Sequence, residues 1–530
     1  MFSNTSAELL LNTPSRCITA IYDKKTHRFL VGTAASPSFS SNMMVQHQQG
    51  GGGTNSISCL NPLQILRYHE DMNELIIDSQ VDFGENGGSG EVWSLSSCPF
   101  DSKWVMVCRN GLDQKPETGL WRIPQDAMKE DDLEYYTNDN DVDRQNRLDD
   151  MNSNNNDKSM EKLAVLQVNS AFDCGIVTNR VTDMHWNPEC YQDPEDAMLG
   201  DISLDSNFGG SNATPFNFMT VQGGHRQVTL ATWNISDAMT STIAQPVEEF
   251  SIPIPSERGT LPNPPKASWD PHNTHLCAVT LGTNIGIVDF RTPSKVVHGL
   301  KSCHRLGVMD VDYNSVKPMV LCSSGQDSLI KFWDLRFTSS FAHEQIQDEE
   351  DDERQQRISD MTNWSRRSPL KIIRGGHTHW TNVVKYNSFH DQLILSGGTD
   401  GICNLWRMSS ISSSPLTDLA TGDMHDFDLD DDDVDDDDDM APVRSSSLDK
   451  DEYHQSHDND NDDDQHSTVT SSSQGEENNP DVRVSQMEMR EAVYDVTWSA
   501  TDPWIYVTLG FDGNVVLNHV PSKEKYKILL

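Results

Sequence analysis

The sequence has 530 residues, 35% of them hydrophobic types, and 82 acidic side chains against 40 Lys and Arg, a formal charge of −42. A chain of this length outgrows one small core unless it repeats a unit, no apolar run approaches the ~20 residues of a membrane span, and no basic stripe is available to hold a phosphate backbone. Its 10 cysteines include no Cys-x-x-Cys pair, which argues against zinc knuckles and a dense disulfide framework and fits reduced thiols in the cytosol.

The opening "MFSNTSAELLLNTPSRC" has no basic segment ahead of its short Leu run and reads poorly as a secretory signal. A first strand-rich unit is expected over 17–77, and a second over 90–124, led by "EVWSLSSCP" at 91–99. The "GGSG" at 87–90 lacks a following Lys and leads into a strand, so it does not read as a phosphate loop. Low-complexity stretches interrupt these units, with "QHQQGGGG" at 46–53 and "NSNNND" at 152–157; the second lies within 125–163, which holds 12 acidic and 5 basic residues. A third unit is expected over 180–236. The fourth, over 266–292, has Phe290 where later units have Trp.

The fifth and sixth units, 304–337 and 377–408, repeat one another through "SSGQDSLIKFWDLRF" and "LSGGTDGICNLWRM". His304, Ser323, Asp327 and Trp333 match His377, Ser396, Asp400 and Trp406 at one offset of 73. The spacing places Ser at a strand end, Asp in the following tight turn and Trp on the next strand. In a sheet these can converge, imidazole bridging carboxylate to hydroxyl and the indole N–H finding a buried acceptor. A Ser-His-Asp hydrolase would instead need one exposed constellation, whereas this trio recurs with its Trp, as a fold requirement does.

Acidic insertions flank these units: 344–360 with 8 acidic and 2 basic residues, and 410–488 with 25 and 3, including "DFDLDDDDVDDDDDM" at 426–440. Such runs repel themselves and bury no apolar area, so disordered loops are expected over 125–163, 344–360 and 410–488. They read as solvating spacers, with a strip for a basic partner and a kinase target at "SSS" 445–447 as alternatives. The seventh unit, 489–530, keeps Thr508 and Asp512 at tetrad spacing but has Met489 and Asn518 in place of His and Trp. A Val-x-Asp-(Val/Met)-x-aromatic pattern recurs as "VTDMHW" (181–186), "VMDVDY" (308–313) and "VYDVTW" (493–498). Its period-two apolar positions mark an inner strand, a place that "NVVKYNS" at 382–388 takes in the sixth unit.

The quartet of His, Ser, Asp and Trp resembles the WD-repeat family, whose tetrad pins each four-stranded blade of a β-propeller. The expected fold is therefore all-β, a single seven-bladed WD-repeat β-propeller over 17–530 with long disordered acidic insertions. Because an open sheet edge invites aggregation, the ring must close, with a strand from the N-terminal segment pairing with the last blade. A closer resemblance follows from "RFLVGT" (28–33), "GEVWSL" (90–95), "KFWDLRF" (331–337), "HTHW" (377–380), "YNSFHDQLILSGGTDG" (386–401), "DPWIYVTLGFDG" (502–513) and "VPSKEKYKILL" (520–530). These are similar to the EARP-and-GARP-complex-interacting protein family. The resemblance implies a cytosolic, non-catalytic scaffold without cofactors, monomeric, associated through its partners with endosomes and the trans-Golgi network in endosomal recycling and retrograde traffic. The chain departs from that pattern in its long inserts at 34–57, 125–163 and 190–218.

A propeller of this kind works by presenting loop side chains from rigid blades. The residues expected to face partners lie beside the tight-turn Asp and at the starts of inner strands: Gln326, Thr399, Phe511, Trp380, Asn382, Arg305 and Tyr494. Trp380 is the chief anchor candidate, because an exposed Trp can dominate an interface; its alternative is packing between blades. The terminal "KYKILL" reads either as a docking segment or as the end of the closing strand. Trp333-Asp334-Leu335-Arg336 carries the Trp-Asp-x-Arg pattern of WD-repeat substrate receptors of cullin-type ubiquitin ligases, with Arg336 as docking residue. The histidine pair His377 and His379 lacks a third ligand at useful spacing, so no metal site is expected.

Overall fold

The computed structural model describes residues 6–11, 13–23, 25–34, 61–83, 90–110, 115–128, 158–168, 171–173, 176–178, 180–188, 217–223, 227–235, 242–254, 263–292, 296–336, 364–414, 468–469 and 480–529. Their strands form seven sheets with four antiparallel strands each, three of them extended by a short parallel fifth strand, and a separate two-stranded hairpin of Ala171–Asp173 with Ile176–Thr178. Blade 1 runs from Ser15 to Val81, and blade 7 combines Val493–Trp498, Ile505–Gly510 and Asn514–His519 with an outer strand, Ala7–Leu10, from the other end of the chain. Seven apolar clusters fill the seven seams between neighbouring blades, including the seam of blades 7 and 1, so the ring is closed.

A large aromatic residue on the third strand drives into the seam with the preceding blade: Tyr68, Trp121, Trp233, Phe290, Trp333 and Trp406 in blades 1 to 6. Each is 5% exposed or less. Their apolar area is what joins sheet to sheet, at roughly 25 cal/mol for each Å² withdrawn from water.

The units expected from sequence capture the three inner strands of each blade but not the fourth. The outer strands lie beyond the expected limits, at Glu161–Leu166 for blade 2, Glu248–Pro253 for blade 3, Val296–Leu300 for blade 4, Lys371–Ile373 for blade 5 and Asp481–Glu488 for blade 6. Two stretches expected to be disordered hold ordered residues: Gln125–Ala127 forms a helical turn and 158–163 is ordered in 125–163, and Thr468–Val469 and Asp481–Glu488 are strands in 410–488. The stretch 344–360 and the "SSS" at 445–447 lie outside the described residues.

"KYKILL" is not the end of a closing strand. Ser522–Leu529 is a helix, begun after Pro521, because the open edge of blade 7 is already taken by Ala7–Leu10. The helix is held under blade 6 by a buried ion pair from Arg407 to Glu524 at 2.5 Å. Gly513, at φ +86°, permits the crossover: a Cβ there would stand 2.4 Å from the Thr13 carbonyl oxygen.

Inner strands also depart from strict alternation. Six of the seven carry a β-bulge after their first residue, as at Val181/Asp183, Val308/Asp310 and Val493/Asp495. The bulge leaves an amide without a ladder partner, and the Asp that follows it compensates. Asp310 accepts Val311 N–H at 3.0 Å with one oxygen and, with the other, Val384 N–H of blade 6 at 3.2 Å. Asp495 likewise accepts Val496 N–H at 2.9 Å and Ile18 N–H of blade 1 at 3.0 Å. Asp183 accepts Ala267 N–H of blade 4 at 3.0 Å. These carboxylates clip blade 3 to 4, 5 to 6 and 7 to 1 around the channel. Lys385 approaches Asp310 at 3.1 Å and Lys266 approaches Asp183 at 3.5 Å.

Replacing Asp310 by Ala removes an acceptor from two buried amides and from Lys385. Counting the two amides alone at about 1–3 kcal/mol each, the expected loss is about 2–6 kcal/mol in urea unfolding. A loss below ~0.5 kcal/mol would mean that water satisfies these amides and that the clips hold nothing.

Candidate docking face

In blade 5, His304 Nδ1 lies 2.7 Å from Asp327 Oδ1 and its Nε2 2.8 Å from Ser323 Oγ, and Trp333 Nε1–H donates to the same hydroxyl at 2.9 Å. Blade 6 brings His377, Asp400, Ser396 and Trp406 together in the same way, at 3.2, 2.9 and 2.9 Å. The second carboxylate oxygen accepts Arg305 N–H in one blade and Thr378 N–H in the other. The imidazoles lie so close over the turn that a Cβ on Gly325 would stand 2.2 Å from His304 Nδ1 and one on Gly398 2.6 Å from His377 Nδ1. His304 and Ser323 are both 0% exposed, so the trio meets no substrate from solvent.

Blade 7 is wired differently. Thr508 donates to Cys403 Sγ of blade 6 at 3.2 Å, Asp512 accepts Asn514 N–H at 3.1 Å, and Met489 lies over Gly510 where blades 5 and 6 place His. Blade 3 carries a pair that the sequence reading missed, Trp233 Nε1–H donating to Thr220 Oγ1 at 2.9 Å. The signal was "TVQGGHRQVTLATW", in which a longer turn stretches the Ser-to-Trp spacing of 10 to 13.

Antiparallel order puts two sets of connections on one face of the ring: the turns between second and third strands, and the junctions from one blade's outer strand to the next blade's innermost strand. Arg305, Thr399, Trp380, Asn382, Tyr494 and Phe511 occupy this junction face in blades 5 to 7. Arg305 is exposed, and Tyr494 is 36% exposed and stacks on Phe511 at 5.0 Å. Trp380 is half-buried, stacked on His379 at 5.3 Å, and its carbonyl accepts Thr399 N–H. Asn382 donates across the seam to Val493 O at 2.9 Å. Gln326 does not belong to the accessible set: it is 5% exposed, with its N–H held by Gly307 O and its side chain packed against Gly307. The sequence reading left blades 1 to 3 of this face empty, yet the structure places Arg16, Trp93 and Arg180 there in a cation–π stack.

The opposite face collects the turns between third and fourth strands, from which the chain departs at 128, 336 and 414 and re-enters at 158, 364 and 480. Arg336 stands by one of these departures, 53% exposed, but its guanidinium grips Asp334 through Nε–Oδ1 at 2.9 Å and Nη2–Oδ2 at 2.5 Å. His377 and His379 do not converge on a metal, since His377 spends both nitrogens on Asp400 and Ser396 and His379 Nδ1 meets Thr399 at 2.5 Å. Among the described residues His27, Glu70 and Asp502 bring ligand atoms within 4.8 Å of one another, with Lys525 in electrostatic range of both acids. No helix among the described residues is long and apolar enough to cross a membrane. The seven described cysteines are buried, and burial pushes thiols such as Cys403 up, to about 12.

Burial holds the His304 imidazole below its usual pKa, although the Asp327 carboxylate favours the proton. Because the folded value is depressed, the stability carried by neutral His304 is complete above the unfolded pKa of about 6.5 and is lost as pH falls below it. The margin of wild type over His304→Gln should therefore shrink between pH 7.5 and 5.5 in urea unfolding. Trp333→Phe keeps the ring but removes the donor to Ser323, and should cost about 1–3 kcal/mol at pH 7.5. A neutral outcome for both variants would remove the tetrad from the list of stabilising contacts.

The family model "WD domain, G-beta repeat" matches residues 294–334 and 367–407, within blades 4 to 6. The EARP-interacting protein homolog of Gekko japonicus is 26% identical over 490 residues, covering 90% of this chain and 92% of its own length. The EARP and GARP complex-interacting protein 1 of Homo sapiens is 24% identical with the same coverage. The EARP-interacting protein 1 of Caenorhabditis elegans is 24% identical over 284 residues, 53% of this chain and 58% of its own length.

Proposed function

This chain is a WD-repeat relative of the EARP and GARP complex-interacting proteins, and on that premise we propose that it is a non-catalytic adaptor that docks such tethering complexes. The observation that carries the reading is the likeness along 90% of the chain, far more than the two stretches that match the repeat model. A rigid ring with exposed arginine and aromatic side chains on one face suits simultaneous docking of large partners. In this reading the protein works in endosomal recycling and retrograde traffic, reaching trans-Golgi and endosomal membranes through its partners. The polar quartets serve the fold, and Trp380, Asn382, Thr399, Phe511, Arg305 and Tyr494 serve docking. The ligase-receptor reading of Arg336 gains no support from its geometry, because the guanidinium is already engaged by Asp334 within its own blade.

The full-length protein, immobilised and exposed to cytosol, should retain EARP and GARP subunits. Arg336→Ala should leave that capture unchanged, Trp380→Ala should weaken it several-fold, and deleting 415–467, which spares the outer strand of blade 6, should leave it intact if the acidic stretch is a spacer. Recovery of a ligase adaptor alone, lost with Arg336→Ala, would replace the adaptor reading.

A further inference from the structure

Five side chains from four blades meet through successive ring and guanidinium contacts on the junction face. Arg180, at the entry to blade 3, sits 3.5 Å from the centre of the Trp93 ring, which opens blade 2. Arg16, at the start of blade 1, lies 4.1 Å from the same ring and 5.8 Å from Tyr494 of blade 7, which in turn stacks on Phe511. An arginine packed for structure alone spends its five N–H donors on carbonyls or carboxylates. Arg16 follows that rule in part, with Glu91 at 2.6 Å. Arg180 does not: among the described residues its guanidinium has no hydrogen bond or ion pair, and its Nε is buried without an acceptor. Arg16 Nε and the Trp93 indole N–H are buried without acceptors as well. Burial lowers the pKa of Arg180 and raises that of Glu91, which marks the spot as poorly solvated.

The stack therefore holds unused donors and one net positive charge, two guanidiniums against one carboxylate, next to an aromatic step. We infer that it is the recognition site for an acidic peptide segment of a docked protein. One side-chain carboxylate would bridge Arg180 and the Trp93 N–H, and an apolar side chain would lie on Tyr494 and Phe511. A single carboxylate neutralises the surplus, whereas a phosphate dianion would leave an uncompensated negative charge beside Glu91. The described residues that bound the chain's own acidic stretches lie at the opposite face. The inference rests on the docking reading above and names the chemistry of recognition within it.

The test titrates full-length protein with the peptide acetyl-Ala-Asp-Ala-Phe-Ala-amide labelled for fluorescence anisotropy, beside a peptide with lysine in place of the acid and one with phosphoserine there. The acidic peptide should bind with an affinity that falls as salt is raised. Arg180→Gln and Tyr494→Ala should each weaken it at least tenfold with an unchanged unfolding temperature, and Lys523→Gln, on the helix of the other face, should leave it unchanged. Equal binding of the acidic and lysine peptides, or an Arg180→Gln variant that binds as wild type does, would overturn the site. Binding of the phosphoserine peptide alone would overturn the carboxylate assignment. Retention of tethering subunits by Arg180→Gln at wild-type level would sink this inference while leaving the adaptor reading standing; peptide binding without subunit capture by wild type would do the reverse.

Discussion

Every blade turns the edge of its innermost strand toward the channel, and an edge amide that is neither paired nor hydrated costs about 1–3 kcal/mol. The bulges add to that debt, one amide per strand. Asp183, Asp310 and Asp495 answer it from one sequence position, two of them with an oxygen for their own bulge and an oxygen for the next blade. Hydrogen bonds to an ionised acceptor are the strong kind, so the clips depend on keeping the carboxylates charged in a confined place. For Asp183, burial opposes ionisation, but Lys266 and His185 outweigh it and hold the carboxyl below its usual range. For Asp495 burial wins over Lys266 and the pKa rises to about 6. The clip at the closing seam thus holds its charge less firmly than that of Asp183, and there the exchanged strand Ala7–Leu10 and the apolar cluster beneath it supply the closure.

How much of this was legible in the sequence follows from which forces leave a local signature. The three inner strands of each blade are buried on both faces, so they read as apolar runs between turn residues. The outer strands read poorly: Asp481–Glu488 is mostly half-buried or exposed and begins beyond 60 residues of acidic sequence, so its Asp-Val-Arg-Val alternation had no neighbour to lend it weight. The period-two expectation was right for the strands and wrong at the bulge, and for that reason the Asp of the Val-x-Asp pattern went unread while its apolar flanks were noticed. A carboxylate that serves two backbones, one of them in another blade, cannot be inferred from spacing.

The polar quartets and the apolar wedges divide the ring between them. Complete tetrads occur in blades 5 and 6, which is where the repeat model finds most of its matches. Blades 1, 2 and 4 have wedge aromatics without a tetrad, and their seams are as tightly filled, with Tyr68, Trp121 and Phe290 each nearly inaccessible. Strength of family signal therefore tracks the number of residues fixed by hydrogen-bond geometry rather than the burial that joins the blades. The Arg16, Trp93 and Arg180 stack escaped the reading for a related reason, since its members come from three blades and share no motif.

The same clips bear on function. Arg16 lies two residues before Ile18, whose amide Asp495 accepts; Tyr494 immediately precedes Asp495; and Arg180 lies three residues before Asp183. The side chains that line the junction face are thus carried at or beside the inner strands whose backbone is held from two blades at once. Ordering a loop or a long side chain on binding costs roughly 0.5–1.5 kcal/mol per group, and a stack already fixed by neighbouring rings and anchored strands has met most of that cost before a partner arrives. Rigidity demanded by closure thus yields one face whose side chains are preordered, with the guanidiniums of Arg16 and Arg180 held against Trp93 before a partner arrives.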